Sequence, residues 1–138
     1  IIALELKFTT YIGGFQVNGV IDRVEKTPEG EYVVVDYKTG KGKTKVDAVN
    51  SPQLNLYAHA LKENPDYGKY PIKAMFFFVE KPEEMQFAEY DVDPAKIDEV
   101  KSILEGYVKA IEDKEFEPTP GMFTCKWCQY SDICEDAE

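Results

Sequence analysis

Three charged side chains lie in the most strand-like part of this 138-residue sequence. Asp22 stands in the run GVIDR, and Asp36 and Lys38 stand in the run VVVDYK. An unpaired charge among buried residues is costly in free energy, so these three groups need partners. If the two runs form a hairpin around the turn segment TPEG, with a bulge at Gly30, Asp22 falls opposite Asp36 or one residue from that position.

This arrangement suits a divalent cation. Two carboxylates placed across a strand pair repel each other, and a cation between them reverses the sign of that interaction. Lys38 faces the same way as Asp36, because residues two apart on a strand share a face. Mg²⁺ prefers oxygen ligands and needs only one or two carboxylates when waters complete its octahedron. The pattern predicts metal-assisted phosphodiester hydrolysis, with Lys38 orienting water or stabilising phosphoryl charge. For D-x-K alone, an exposed salt bridge is the competing interpretation.

The elements that position these residues follow from hydrophobic spacing. A loop is predicted over 39–46, a helix from Ser51-Pro52 and a long helix from Asp93-Pro94. Together they predict an α/β fold with a mixed central β-sheet flanked by helices, and a C-terminal cysteine knuckle. The predicted strands are 3–11, 15–25, 31–38, 72–80 and 87–92.

Composition limits the function classes. The net charge of −10 by itself disfavours a nucleic-acid partner. Lys41, Lys43 and Lys45 nevertheless follow the candidate site, where they could contact a phosphate backbone; a solvated loop is the alternative. No apolar run is long enough for a membrane span and no signal peptide is evident, so we predict a cytoplasmic protein. The chain opens without Met in a strand-like pattern, which suggests a piece of a longer protein.

The runs GVIDR, VVVDYKTG and QLNLY, in this order and spacing, resemble the PD-(D/E)xK nuclease superfamily. Within it the chain is most similar to RecB-like exonuclease domains of the iron–sulfur type, whose relatives act in CRISPR spacer acquisition and in AddB-type helicase–nucleases. The resemblance covers residues 15–60 and, separately, 125–134. It implies a restriction-endonuclease-like nuclease core at 1–116, with its N-terminal part missing, and a cysteine-rich segment at 117–138.

The resemblance also assigns roles. Asp22 and Asp36 are the implied metal-binding acids, with the backbone carbonyl of Tyr37 as a further ligand, and Lys38 is the implied catalytic lysine. Gln53 and Tyr57 match the QxxxY helix that such nucleases place beside the active site, and residues four apart do share a helix face. For Tyr57, a core aromatic is the alternative. The sole histidine, His59, does not occupy the position of the family's metal-binding histidine.

Cys125, Cys128 and Cys134 are the only cysteines, with the spacing C-x2-C-x5-C. Their odd number and the lack of a secretory signal disfavour a disulfide framework, and C-x2-C brings two thiolates to one metal or cluster edge. The resemblance implies a [4Fe–4S] cluster whose fourth cysteine lies outside this chain. We expect the three thiols to point into one pocket. A zinc knuckle and three free thiols are the alternatives.

The implied function is a Mg²⁺- or Mn²⁺-dependent DNA exonuclease that acts on DNA ends or single strands. DNA repair, recombination and CRISPR- or phage-related processing are the implied settings, with no membrane partner. A larger helicase–nuclease or CRISPR-adaptation protein is the implied context. The main alternative is a catalytically inactive nuclease-like module that binds DNA or serves as a scaffold. A small structural metal-binding domain is the third possibility.

Overall fold

The structure is a computed structural model that describes residues 1–39, 44–68, 72–83 and 86–137. It divides into two compact units, Ile1–Glu105 and Gly106–Glu138. No helix within the described ranges is long and apolar enough to cross a membrane. The elements are β1 (Ala3–Ile12), β2 (Phe15–Lys26), β3 (Tyr32–Lys38), α1 (Lys45–Val49), α2 (Pro52–Glu63), β4 (Ile72–Phe78), β5 (Phe87–Asp91), α3 (Lys96–Glu112) and α4 (Met122–Lys126).

One five-stranded sheet in the order β1-β2-β3-β4-β5 forms the centre of the first unit. Neighbouring strands are antiparallel except β3 and β4, which run parallel. A parallel pair needs a long crossover, and α1 and α2 lie in that connection. The mixed sheet with flanking helices confirms the predicted restriction-endonuclease-like α/β fold.

Glycines at the two hairpin turns set the strand registers. Gly13 and Gly14 have φ of 58° and 90°, as a two-residue hairpin turn requires. In the TPEG turn Gly30 has φ of 91°, its N–H donates to the Thr27 carbonyl at 3.0 Å, and Thr27 N–H donates to the Glu31 carbonyl at 2.9 Å. This turn fixes the pairing of β2 with β3, which runs from Lys26 opposite Tyr32 to Arg23 opposite Val35.

Helix α2 covers one face of the sheet. Pro52 occupies its first turn and the Ser51 hydroxyl accepts the Leu54 N–H at 3.3 Å, so the helix begins where the sequence predicts. Its apolar positions Leu54, Ala58 and Leu61 are buried in the main core together with side chains of β2, β3 and β4. This packing holds the first turn of α2 against the end of β3.

The predicted loop 39–46 is too long by two residues, because α1 begins at Lys45. The Thr44 hydroxyl accepts the Asp47 N–H, and the Asp47 carboxylate accepts the Thr44 N–H at 2.6 Å. This reciprocal pair is a capping box. The T-x-x-D spacing was a usable helix-start signal within the lysine-rich stretch.

A buried tyrosine supports the core beneath α2, and its loss should be measurable. Tyr90 is 2% exposed, and its hydroxyl donates to Asn55 Oδ1 at 2.7 Å. Tyr90→Phe leaves that buried oxygen without this donor, so we expect unfolding free energy to fall by about 1–3 kcal/mol. Urea denaturation at pH 7 measures the change. Tyr11→Phe is the matched control, since Tyr11 is exposed.

The same tyrosine makes stability depend on high pH. Burial raises the pKa of Tyr90 far above its usual value. The phenol of the unfolded chain loses its proton near pH 10, roughly its reference pKa, while the folded protein keeps it. Stability that is fully present below pH 10 should therefore decrease as pH rises further. The unfolding free energy of Tyr90→Phe should decrease less above pH 10, roughly the reference pKa of tyrosine, than that of the wild type. Equal slopes of unfolding free energy against pH in the two proteins would contradict a role for Tyr90.

Candidate active site

Asp22 and Asp36 lie just beyond the last paired residues of strands β2 and β3. The ladder ends at Arg23 opposite Val35, one residue before each acid. At this point the Asp22 carboxylate accepts the backbone N–H of Tyr37 at 2.9 Å. A side chain thus receives a hydrogen bond from the end of β3, which fixes the Asp22 carboxylate beside the D-x-K segment.

Asp36 is a buried carboxylate with a cationic partner. It is 3% exposed and pairs in the parallel ladder with Phe76, which is also buried. The Lys38 ammonium lies 2.6 Å from Asp36 Oδ2 and 5.6 Å from the centre of the Phe76 ring. The ion pair provides the compensation that a buried carboxylate requires. The Lys38 side chain is 30% exposed, so the pair is not closed off from solvent.

Helix α2 supplies the second partner of the lysine. Lys38 Nζ donates to Gln53 Oε1 at 2.9 Å, and Gln53 Nε2 donates to the Tyr57 hydroxyl at 3.0 Å. The structure therefore brings Asp36, Lys38, Gln53 and Tyr57 into one chain of polar contacts. Tyr57 also packs its ring against the main core. Its hydroxyl therefore contacts Gln53 beside the candidate site, while its ring behaves as a core aromatic.

Tyr37 reaches the site through its backbone. Its ring lies 5.5 Å from that of Phe77, and its hydroxyl accepts from the Arg23 guanidinium at 2.7 Å. Arg23 also lies over the Tyr37 ring, 5.1 Å from its centre. The sequence suggested Arg23 only as the partner of Asp22 in an exposed edge pair. In the structure its guanidinium contacts Tyr37 and lies 3.0 Å from Glu25 instead.

The lysine-rich loop is described only in part. Lys41 and Lys43 lie outside the described residues. Lys45 is the first residue of α1, where it is exposed to solvent. DNA contact by these lysines stays a prediction.

The donor set suits a hard cation with few protein ligands. Within 1–39, 44–68, 72–83 and 86–137, no group of three or more His, Cys, Asp or Glu side chains is placed to hold a metal ion. Asp22 and Asp36 would therefore act as a two-carboxylate set, with the Tyr37 carbonyl beside them. Mg²⁺ commonly binds through one or two carboxylates and keeps several waters, so these residues fit it chemically.

A separate cavity of about 480 Å³ lies at the other end of α2. Its lining includes Ala58, His59 and Lys73 but none of the polar residues of the candidate site. His59 Nε2 is buried without a hydrogen-bond partner among the described residues. The side chain of Glu31 accepts a hydrogen bond from Lys73, and this contact raises the pKa of Lys73. The structure thus keeps His59 apart from the two acids.

The three cysteines lie in the second unit. Cys125 is buried on α4, and Cys128 and Cys134 are exposed. The N–H of Gly121 donates to Cys125 Sγ and the N–H of Tyr130 donates to Cys128 Sγ, both at 3.4 Å. The cysteines are not among any metal-holding group of three in the described part of the chain. Their convergence on one pocket is therefore not seen here and stays a prediction.

Comparison with known proteins identifies the family of this chain. The model of the PD-(D/E)XK nuclease superfamily matches residues 1–135. Among solved structures, the crystal structure of SSO0001 is similar with a TM-score of 0.49 and 18% identity, over 96% of this chain. The match spans 60% of the length of that protein. No curated protein matches this chain.

Proposed function

The chain belongs to the PD-(D/E)XK nuclease superfamily, and on that premise we propose that it is a Mg²⁺- or Mn²⁺-dependent deoxyribonuclease of the RecB-like exonuclease type. One observation carries the proposal: Lys38 lies between the Asp36 carboxylate and the Gln53 amide, beside the residue whose N–H binds Asp22. A lysine held in this way, next to two acids, suits phosphodiester hydrolysis.

Each residue has a role in the proposed reaction. Asp22, Asp36 and the Tyr37 carbonyl would hold the cation, which when bound supplies Lewis acidity and an activated water. Lys38 directs an N–H towards the phosphoryl oxygens and stabilises the negative charge that develops there. Gln53 fixes the lysine in that direction, which limits the reorganisation needed during the reaction.

DNA ends or single strands are the proposed substrates. The lysines at 41, 43 and 45 would contact phosphates and so position the strand without reading its sequence. We place the domain in a larger helicase–nuclease or CRISPR-adaptation protein that acts in repair, recombination or phage-related processing. The superfamily match over residues 1–135 supports a nuclease and therefore a DNA substrate.

A cleavage assay tests this function. With Mg²⁺ or Mn²⁺, the protein should shorten end-labelled linear DNA of any sequence, and EDTA should stop the reaction. Covalently closed circular DNA of the same sequence is the matched control, since an exonuclease needs an end. Equal cutting of the circle would reject the exonuclease type. Binding of linear DNA without cleavage in either metal would favour the inactive DNA-binding module.

We also propose that the three cysteines bind a [4Fe–4S] cluster with a fourth ligand from outside this chain. Backbone N–H groups directed at Cys125 and Cys128 support the proposal, since hydrogen bonds to cluster sulfurs are a common feature of such sites. The whole protein, purified without oxygen, should be brown and contain about four irons per chain. Cys128→Ser should remove most of the iron. A colourless protein with stoichiometric zinc would indicate the zinc knuckle instead.

A further inference from the structure

We propose that Phe8 and Gly19 position the Lys38 side chain for catalysis. Neither residue belongs to the candidate active site, and their effect reaches Lys38 through Tyr57 and Gln53. The inference rests on the proposed function, because it takes Lys38 as the catalytic lysine. Neither Phe8 nor Gly19 touches the reacting atoms. Both act by holding Tyr57, which ends the chain of hydrogen bonds that starts at Lys38 and passes through Gln53.

The first step is a cross-strand pair in which a side chain on one residue would collide with the ring of the other. Phe8 of β1 is paired with Gly19 of β2. A Cβ added at Gly19 would lie 2.5 Å from Cζ of Phe8 and 2.7 Å from Cε1, which is too close for two carbons. Gly19 does not have a positive φ, so space for the Phe8 ring is its structural requirement. The ring therefore lies directly over the glycine.

The second step connects this ring to α2. The Phe8 and Tyr57 ring centres are 5.8 Å apart with an interplanar angle of 75°, an edge-to-face contact. Such a contact contributes about 0.5–1.5 kcal/mol beyond its burial and restricts the ring orientation. The position of the Tyr57 hydroxyl thus depends on where Gly19 allows Phe8 to lie.

The third step is the orientation of the Gln53 amide. Lys38 has only donors, so the Gln53 atom facing it must be Oε1, and Nε2 must then face Tyr57. A displaced Tyr57 hydroxyl removes the acceptor for Nε2 and frees the amide to rotate. Gln53 would then no longer hold the ammonium at a fixed place beside Asp36.

A double-mutant cycle tests the positioning role. Phe8→Leu should lower kcat by on the order of ten-fold, since small misplacements at a site are that costly, and should leave KM for DNA nearly unchanged. In the Gln53→Ala background the same substitution should have little further effect on kcat, because the two residues act through one path. An equal loss in both backgrounds would overturn the proposal and indicate a purely structural role.

Gly19→Ala supplies a second variant. Alone it should lower both Tm and kcat, because the Phe8 ring must move. Combined with Phe8→Leu it should recover most of the Tm while kcat stays low, a separation that general loss of packing would not produce. Phe87→Leu, at an exposed phenylalanine, and Gly106→Ala, at an open glycine, are the matched controls and should leave kcat unchanged. Recovery of kcat together with Tm in the double variant would count against the positioning path.

A crystal structure of Phe8→Leu gives a readout that does not depend on activity. The Gln53 Oε1 to Lys38 Nζ distance should exceed about 3.5 Å, the limit of a hydrogen bond, in that variant and not in Phe87→Leu. An unchanged distance would overturn the proposal even if the wild type cuts DNA. A lengthened distance in a protein that cuts no DNA would sustain the positioning path and reject the proposed function.

Discussion

Lys38→Ala is expected to reduce DNA cleavage by at least about 10²–10³-fold, the usual loss when a preorganised donor to a developing anion is removed. The ammonium lies 2.6 Å from Asp36 and 2.9 Å from Gln53, so it is held in place before substrate arrives. Its contribution should therefore appear in the transition state more than in ground-state binding. In steady-state kinetics kcat should fall while the Kd for DNA changes little.

The same substitution should lower stability without unfolding the protein. The buried Asp36 carboxylate loses one of its partners, and we expect a decrease of about 1–3 kcal/mol in unfolding free energy. Lys38→Gln is a milder variant that keeps a donor near Asp36. Lys62→Ala is the matched control, since Lys62 is an exposed lysine in the last turn of α2. A wild-type rate in a folded Lys38→Ala protein would exclude a catalytic role for the lysine.

Asp36→Asn has the second large expected effect, on metal binding. The substitution keeps the shape of a side chain that is almost fully buried, but it removes the charge that attracts a cation. Mn²⁺ affinity, measured by calorimetry, should fall by more than the roughly 10–100-fold that loss of an outer-shell partner causes. Cleavage should fall with it, and added Mn²⁺ should not restore the wild-type rate.

An exposed acid provides the control for this experiment. Asp91→Asn removes the same charge from β5, where the side chain is 84% exposed, and Mn²⁺ affinity should not change. If Asp36→Asn binds Mn²⁺ like wild type, Asp36 is not a ligand. If affinity falls equally in both variants, the loss reflects the overall charge of the protein and not a specific site.

Local chemistry accounts for the parts of this fold that the sequence predicts. The Val- and Ile-rich runs become β2 and β3, and the TPEG turn sets their pairing as far as Arg23 opposite Val35, one residue before Asp22 and Asp36. Ser51 and Pro52 mark the start of α2. These features depend on neighbours in the chain, so pattern and turn chemistry are sufficient to predict them.

Contacts between distant segments account for the parts that the sequence does not predict. The hydrogen bond from Lys38 to Gln53 depends on how the crossover returns α2 to the end of β3. The edge contact of Phe8 with Tyr57 depends on the docking of β1 as well. The sequence analysis does not predict the short helix α1, because its capping-box residues follow lysines and glycines that are typical of a loop. Motif resemblance placed Gln53 near the site, but only the structure identifies the atoms it binds.

The β2–β3 hairpin and the parallel β3–β4 pair differ in how fast they can form. A hairpin with a tight turn closes on the microsecond scale, since its contacts are local, whereas parallel pairing through a crossover is a slow, non-local event. Asp22 and Asp36 belong to the hairpin, and the Gln53 contact of Lys38 requires the crossover. During folding the two acids should therefore meet first, so a cation could bind the nascent hairpin before the lysine is locked. Divalent cations should then accelerate folding in stopped-flow refolding experiments, an effect separate from the role proposed for them in DNA cleavage.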